Sequence, residues 1–142
     1  MITINDISKS LISTLKKNFP QTRVYGEEIK QGFQDPCFFV KFFPVSQERE
    51  FRDRYKRYHS FDIHYFSDSK FPNDDMGQVA ETLYQAMEYL PVKNGICRGT
   101  KMKNETIDGV LHFYVDYDFH VIKERAPGIM MKSIEQGGFL RE

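Results

Sequence analysis

The chain has 142 residues, 40% of them hydrophobic, and its 20 lysines and arginines balance 20 aspartates and glutamates. A chain of this length buries roughly two-thirds of its unfolded surface, so one compact domain is expected. Zero net charge removes the electrostatic footprint of a general nucleic-acid or anionic-membrane binder and leaves protein partners as the expectation. No apolar run approaches the roughly 18 residues needed to span a bilayer. The opening MITINDISKS also lacks a basic segment followed by an apolar one, so neither a membrane span nor a signal peptide is expected, and the chain is read as cytoplasmic. Cys37 and Cys97 lie far apart and form no CxxC pair; both are read as buried thiols rather than zinc ligands or a redox couple.

Ile4, Ile7, Leu11, Ile12, Leu15 and Phe19 recur at three- and four-residue spacing, which predicts an amphipathic helix capped by Thr3 or Asn5 and stopped by Pro20. Residues 22–27 suggest a short strand around Val24 and Tyr25, followed by a turn at Gly32. Residues 37–43 are rich in Phe and Val and predict a strand with Phe38, Val40 and Phe42 on one face, ended by Pro44 or placed by it at an edge. Residues 45–55 alternate acids and bases and are read as a charged hairpin arm. Residues 56–66 alternate again, with Phe61, Ile63 and Tyr65 toward the core and Ser60, Asp62 and His64 away from it.

A loop over residues 67–75 precedes a second helix, capped by Asn73 or Asp74, with Met76, Val79, Ala80, Leu83, Met87 and Leu90 in register and Pro91 as its stop. Residues 92–98 and 100–107 read as strand pieces separated by turns at Asn94-Gly95 and Gly99. After an Asp108-Gly109 turn, residues 110–122 form the clearest strand of the chain. Leu111, Phe113, Val115, Tyr117, Phe119 and Val121 face one way; His112, Tyr114, Asp116, Asp118 and His120 face the other. The expected fold class is α+β, a largely antiparallel or mixed sheet of four to five strands with two main helices, in the order α-β-β-β-α-β-β. Residues 1–123 form the expected domain. Residues 124–142 form a C-terminal extension, flexible or docking on a neighbour, that carries Met130 and Phe139 among its glycines.

Two polar patterns raise the question of chemistry. Asp62 and His64 on one strand, with His112, Asp116, Asp118 and His120 on another, could hold a divalent metal, although a polar sheet face of ordinary composition carries such residues too. The arm mixes Arg49, Arg52 and Arg54 with Phe51 and Tyr55, but Glu48, Glu50 and Asp53 dilute its basic character toward cross-strand ion pairing. No GxSxG elbow and no glycine-rich phosphate loop occurs. Tyr58 and Tyr114, on polar faces, are amphipathic side chains of the kind favoured at subunit interfaces.

Three longer phrases carry a resemblance: EEIKQGFQDPCFFVKFFPVSQ (27–47), RYKRYHSFDIHYF (54–66) and RGTKMKNETIDGVLHFYVDYDFHV (98–121). They resemble the tail terminator family of long-tailed bacteriophages and prophages, from the first helix to about Lys123. The resemblance implies a non-enzymatic α/β protein with no cofactor, no metal and no catalytic residue. It implies a cap on the tail tube, a homo-oligomeric ring of six subunits that stops polymerisation and meets the head-tail connector. Its setting is the bacterial host cytoplasm during assembly and then the virion tail or a prophage-derived particle. Arg49, Arg52, Arg54, Tyr58, His64, Tyr114, His120, Met130 and Phe139 become candidate interface positions. Another neck or connector component is the alternative, followed by a metal-dependent hydrolase using the His/Asp face.

Overall fold

A computed structural model describes residues 2–26, 34–43 and 46–122. Helix α1 runs Ile4–Asn18. Thr3 is its N-cap, accepting from the Asp6 backbone N–H at 3.2 Å while the Asp6 carboxylate accepts from the Thr3 N–H at 2.9 Å. This reciprocal box satisfies two amide groups that the first helical turn leaves unpartnered. Ile7, Leu11 and Leu15 are its fully buried stripe. Each such side chain contributes about 1.5–3 kcal/mol by leaving water.

The strands are β1 (Arg23–Tyr25), β2 (Cys37–Phe42), β3 (Ser46–Phe51), β4 (Arg54–Tyr58) and β5 (Ser60–Phe66), followed by helix α2 (Pro72–Ala86). Then come β6 (Tyr89–Val92), β7 (Gly95–Ile107), β8 (Val110–Tyr117) and β9 (Phe119–Ile122). A six-stranded sheet has the order β1-β2-β5-β8-β7-β6, and a three-stranded sheet has the order β3-β4-β9. Only β1 and β2 pair in parallel; the other pairs are antiparallel. The α+β class therefore stands, but the expected four to five strands and the order α-β-β-β-α-β-β do not: the described chain reads α-β-β-β-β-β-α-β-β-β-β.

Three physical causes account for the difference. The strand expected over 110–122 breaks at Asp118, and its two halves join different sheets; the strand expected over 56–66 divides in the same way at His59. Helix α2 starts at Pro72, whose missing N–H costs nothing in a first turn, and stops at Ala86, earlier than the apolar period suggests. Met87 is the C-cap, and Leu90 points into the core from strand β6, where Pro91 is tolerated because β6 lies at the sheet edge. Of the pieces expected over 92–98 and 100–107, Val92 ends β6, a turn follows over 93–94, and residues 95–107 form a single strand, β7, with no turn at Gly99. Its register shifts between Thr100 and Lys103, and Lys101 takes φ +52° there, as a bulge allows.

Both helices feed one core cluster. Ile7, Leu11 and Leu15 of α1 and Met76, Val79, Ala80 and Leu83 of α2 meet Phe38, Phe61, Ile63, Tyr65, Leu111, Phe113, Val115 and Tyr117 of the sheet. Gly99 lies against this layer so closely that a Cβ there would fall 2.4 Å from the Met87 carbonyl oxygen. The opposite face of β5 and β8 carries Asp62, His64, His112, Tyr114 and Asp116.

Candidate functional site

The arm is the three-stranded sheet. Arg49 lies on β3 and its Nε donates to the Arg52 carbonyl at 2.8 Å, closing the β3–β4 turn. Arg52 occupies that turn with φ +51°, and its guanidinium sits 5.4 Å from the centre of the Phe51 ring. Phe51 is 68% exposed, so the tip presents an uncovered aromatic ring beside a cation. Arg54 opens β4 and pairs with Glu50 at 3.4 Å; the same Glu50 meets His120 of β9 at 2.9 Å. Glu50 thus ties all three strands. Tyr58 ends β4, donates to Glu48 at 3.4 Å and carries Lys56 over its ring. Desolvation and the Glu48 carboxylate raise its phenol above the ordinary range. The hairpin expected over 45–55 is present in its described part, extended by β9, while Tyr55 and Val121 pair across β4 and β9 and are buried.

The arm joins the six-stranded sheet through single residues. His59 separates β4 from β5 and Asp118 separates β8 from β9. His59 is fully buried, stacks on Phe119 at 5.0 Å with a 5° interplanar angle, and has Nδ1 3.0 Å from the Tyr117 carbonyl. The Tyr117 N–H donates to the His59 carbonyl at 2.7 Å. Burial lowers the His59 pKa, so the imidazole is held neutral. Nothing in the local sequence pattern marks His59 as a junction residue, yet it shares the odd-numbered phase of Phe61, Ile63 and Tyr65, the core-facing set.

His64 and Tyr114 lie elsewhere, on the face of the larger sheet opposite the two described helices. The β5–β8 register sets His64 directly opposite His112 and Asp62 opposite Tyr114. Asp62, only 5% exposed, receives His64 Nε2 at 2.8 Å and His112 Nδ1 at 3.1 Å, both on the same carboxylate oxygen. Tyr114 donates to Glu105 at 2.8 Å, carries Lys103 over its ring, and faces Phe43 at 6.5 Å between ring centres. Its hydrogen bond to the Glu105 carboxylate, followed by desolvation, pushes its pKa up to about 12. Of the six residues whose types suit metal, Asp62, His64 and His112 converge, whereas His120 sits on the arm and Asp118 at the junction. Met130 and Phe139 lie outside the described residues, as does the whole extension 124–142.

The cysteines carry no activation. Cys37 and Cys97 are free and buried, and desolvation, reinforced by Asp35, pushes the Cys37 thiol up to about 11. Among the described residues, no helix is long and apolar enough to cross a membrane.

A family model described as phage tail terminator protein matches residues 6–129. The chain belongs to the phage tail terminator family. The match leaves out only the first five and the last thirteen residues, and so reaches past the end of β9 into the extension. No curated protein matches the chain. Membership identifies a component of the phage tail, a family whose role is structural, and it assigns none of the polar side chains above to chemistry.

Proposed function

We propose that this terminator caps the completed tail tube as a ring of subunits, stops further polymerisation and offers the surface to which the head connector joins. The observation that carries the reading is the family match over residues 6–129. In a cyclic ring each subunit binds its neighbour through two different patches, and the contact closes when the rotation per subunit divides the circle. Bound to the last tube layer, such a ring occupies the surface that the next layer needs. A ring of six is the number the resemblance implies, assembled in the host cytoplasm before it becomes part of the virion tail.

The arm is proposed as the gripping element, acting with the extension that carries Met130 and Phe139. The exposed tip formed by Phe51 and Arg52 supports this role: nothing in the domain core requires it, and it combines the aromatic and arginine side chains enriched at interfaces. His64 and Tyr114 are proposed as a second, sheet-borne contact.

The test is complementation of a phage lacking this gene. Absence of the chain should give overlong tubes; normal-length tails without heads would instead assign it a joining role and overturn termination. Replacing Arg52 and Arg54 by alanine together should leave the protein within about 1 kcal/mol of wild type, because both side chains are exposed and an exposed ion pair contributes little. The same variant should fail to restore tail length. Full complementation would remove the arm from the mechanism.

A further inference from the structure

Asp62, His64 and His112 form a constellation that the terminator role leaves unused. Their ligand-type atoms all lie within 4.8 Å of one another, with Asp62 Oδ2 2.8 Å from His64 Nε2 and 3.1 Å from His112 Nδ1. A tetrahedral zinc with ligand bonds near 2.0–2.2 Å needs donor atoms roughly 3.4 Å apart, so the two Asp62 contacts would open slightly and the imidazole nitrogens, within 4.8 Å of each other, would close by at most about 1.4 Å, shared between two side chains.

The scaffold holds the set in place without help from a loop. His64 and His112 are cross-strand partners on the two central strands of the sheet, and Asp62 precedes His64 by one strand repeat, so all three project from one face. His112 is flanked by Tyr114 with ring centres 6.2 Å apart at 19°, and Tyr114 is itself fixed by its hydrogen bond to Glu105. The donor set decides the class of ion. Two imidazole nitrogens and one carboxylate suit borderline first-row divalent cations, whereas magnesium and calcium favour oxygen-rich sets.

Charge points the same way. Asp62 is almost wholly buried, and its ion-pair partners among the described residues are the two imidazoles. The two imidazole rings lie with their centres 4.2 Å apart, close enough to serve one ion. Buried carboxylates are ordinarily paired or bound to a metal, and a divalent ion held by the three side chains would compensate Asp62. We propose that Asp62, His64 and His112 form a binding site for a first-row divalent cation of the zinc type. The ion would tie β5 to β8 from the sheet face opposite the two described helices. The proposal does not depend on ring formation or tail capping.

The experiment uses the full chain, stripped with a chelator and titrated with zinc against a chromophoric competitor, with cobalt as a spectroscopic probe. Expected are one equivalent bound, a tetrahedral cobalt band, and a thermal midpoint that rises with free zinc. H64A and H112A should each weaken binding by at least roughly tenfold. H64Q and H112Q serve the same purpose should alanine perturb the sheet, and metal-free melting curves establish that the variants fold. H120A, remote on the arm, should bind as wild type. Absence of a saturable equivalent, or equal binding by wild type and the H64Q/H112Q double variant, overturns the proposal and leaves a metal-free His–Asp–His hydrogen-bonded set.

Discussion

Replacing Gly99 by alanine tests how tightly β7 is seated against the end of α2. A Cβ at this position would lie 2.4 Å from the Met87 carbonyl oxygen and 3.0 Å from Val115 Cγ2. Carbon–oxygen contacts settle near 3.3–3.6 Å, so β7 and the α2 C-cap would have to separate by roughly 1 Å. That movement is opposed from two sides. The same Met87 oxygen accepts the buried Tyr117 hydroxyl at 2.7 Å, and the Gly99 N–H donates to the Glu88 carbonyl at 2.7 Å. Overpacking costs about 1–3 kcal/mol and a weakened buried hydrogen bond about 0.5–1.5 kcal/mol, so G99A should destabilise the domain by roughly 2–4 kcal/mol. For a chain of this length that lowers the melting temperature by roughly 6–14 °C. Gly77 supplies the control for the same chemical change. It lies within α2, a Cβ there meets nothing within 4 Å, and G77A should stabilise by about 0.5–1 kcal/mol through helix propensity. Urea and thermal unfolding followed by circular dichroism give both values. A G99A variant within about 0.5 kcal/mol of wild type would show instead that the seat yields and that β7 is not held tightly against the α2 C-cap.

Two further substitutions test the junction and the first helix. His59 is held neutral by burial, so its contribution to stability is fully present above its unfolded pKa of 6.5 and is lost as the pH falls from there through the lower folded value. The slope is at most about 1.4 kcal/mol per pH unit. Urea midpoints measured between pH 8 and pH 5 for wild type and H59F should diverge below pH 6.5, since their difference cancels the other three histidines; parallel curves would contradict the assignment. T3A removes the acceptor of the α1 capping box and should cost about 1 kcal/mol, read from the urea midpoint, whereas T3S should restore most of it.

The parts of the fold that could be read in advance are those where one burial pattern governs one element. Alternation placed Leu111, Phe113, Val115 and Tyr117 on the core face, and helical spacing placed Ile7, Leu11 and Leu15. The break at Asp118 could not be read, because Phe119 and Val121 continue the parity of Tyr117 while the strand passes from one sheet to another. Side-chain period reports which face is buried, not which partner strand lies alongside. Gly99 looked like a turn residue because a lone glycine signals either a turn or a close approach, and only the position of Met87 separates the two. Leu90 kept the helical period by coincidence, buried from a strand instead. The constellation of Asp62, His64 and His112 depended on the β5–β8 register, a long-range quantity absent from local spacing.

The junction has a mechanical consequence. β4 runs into β5 through His59 and β8 runs into β9 through Asp118, and β5 and β8 are the two middle strands of the six. The arm is therefore no appendage on a surface loop. A pull on its tip travels along two covalent backbones, cross-tied by the paired His59 and Tyr117 main chains, into the centre of the sheet. Traction there meets the strands lengthwise and loads many backbone hydrogen bonds in parallel, so the domain resists being peeled open from the edge.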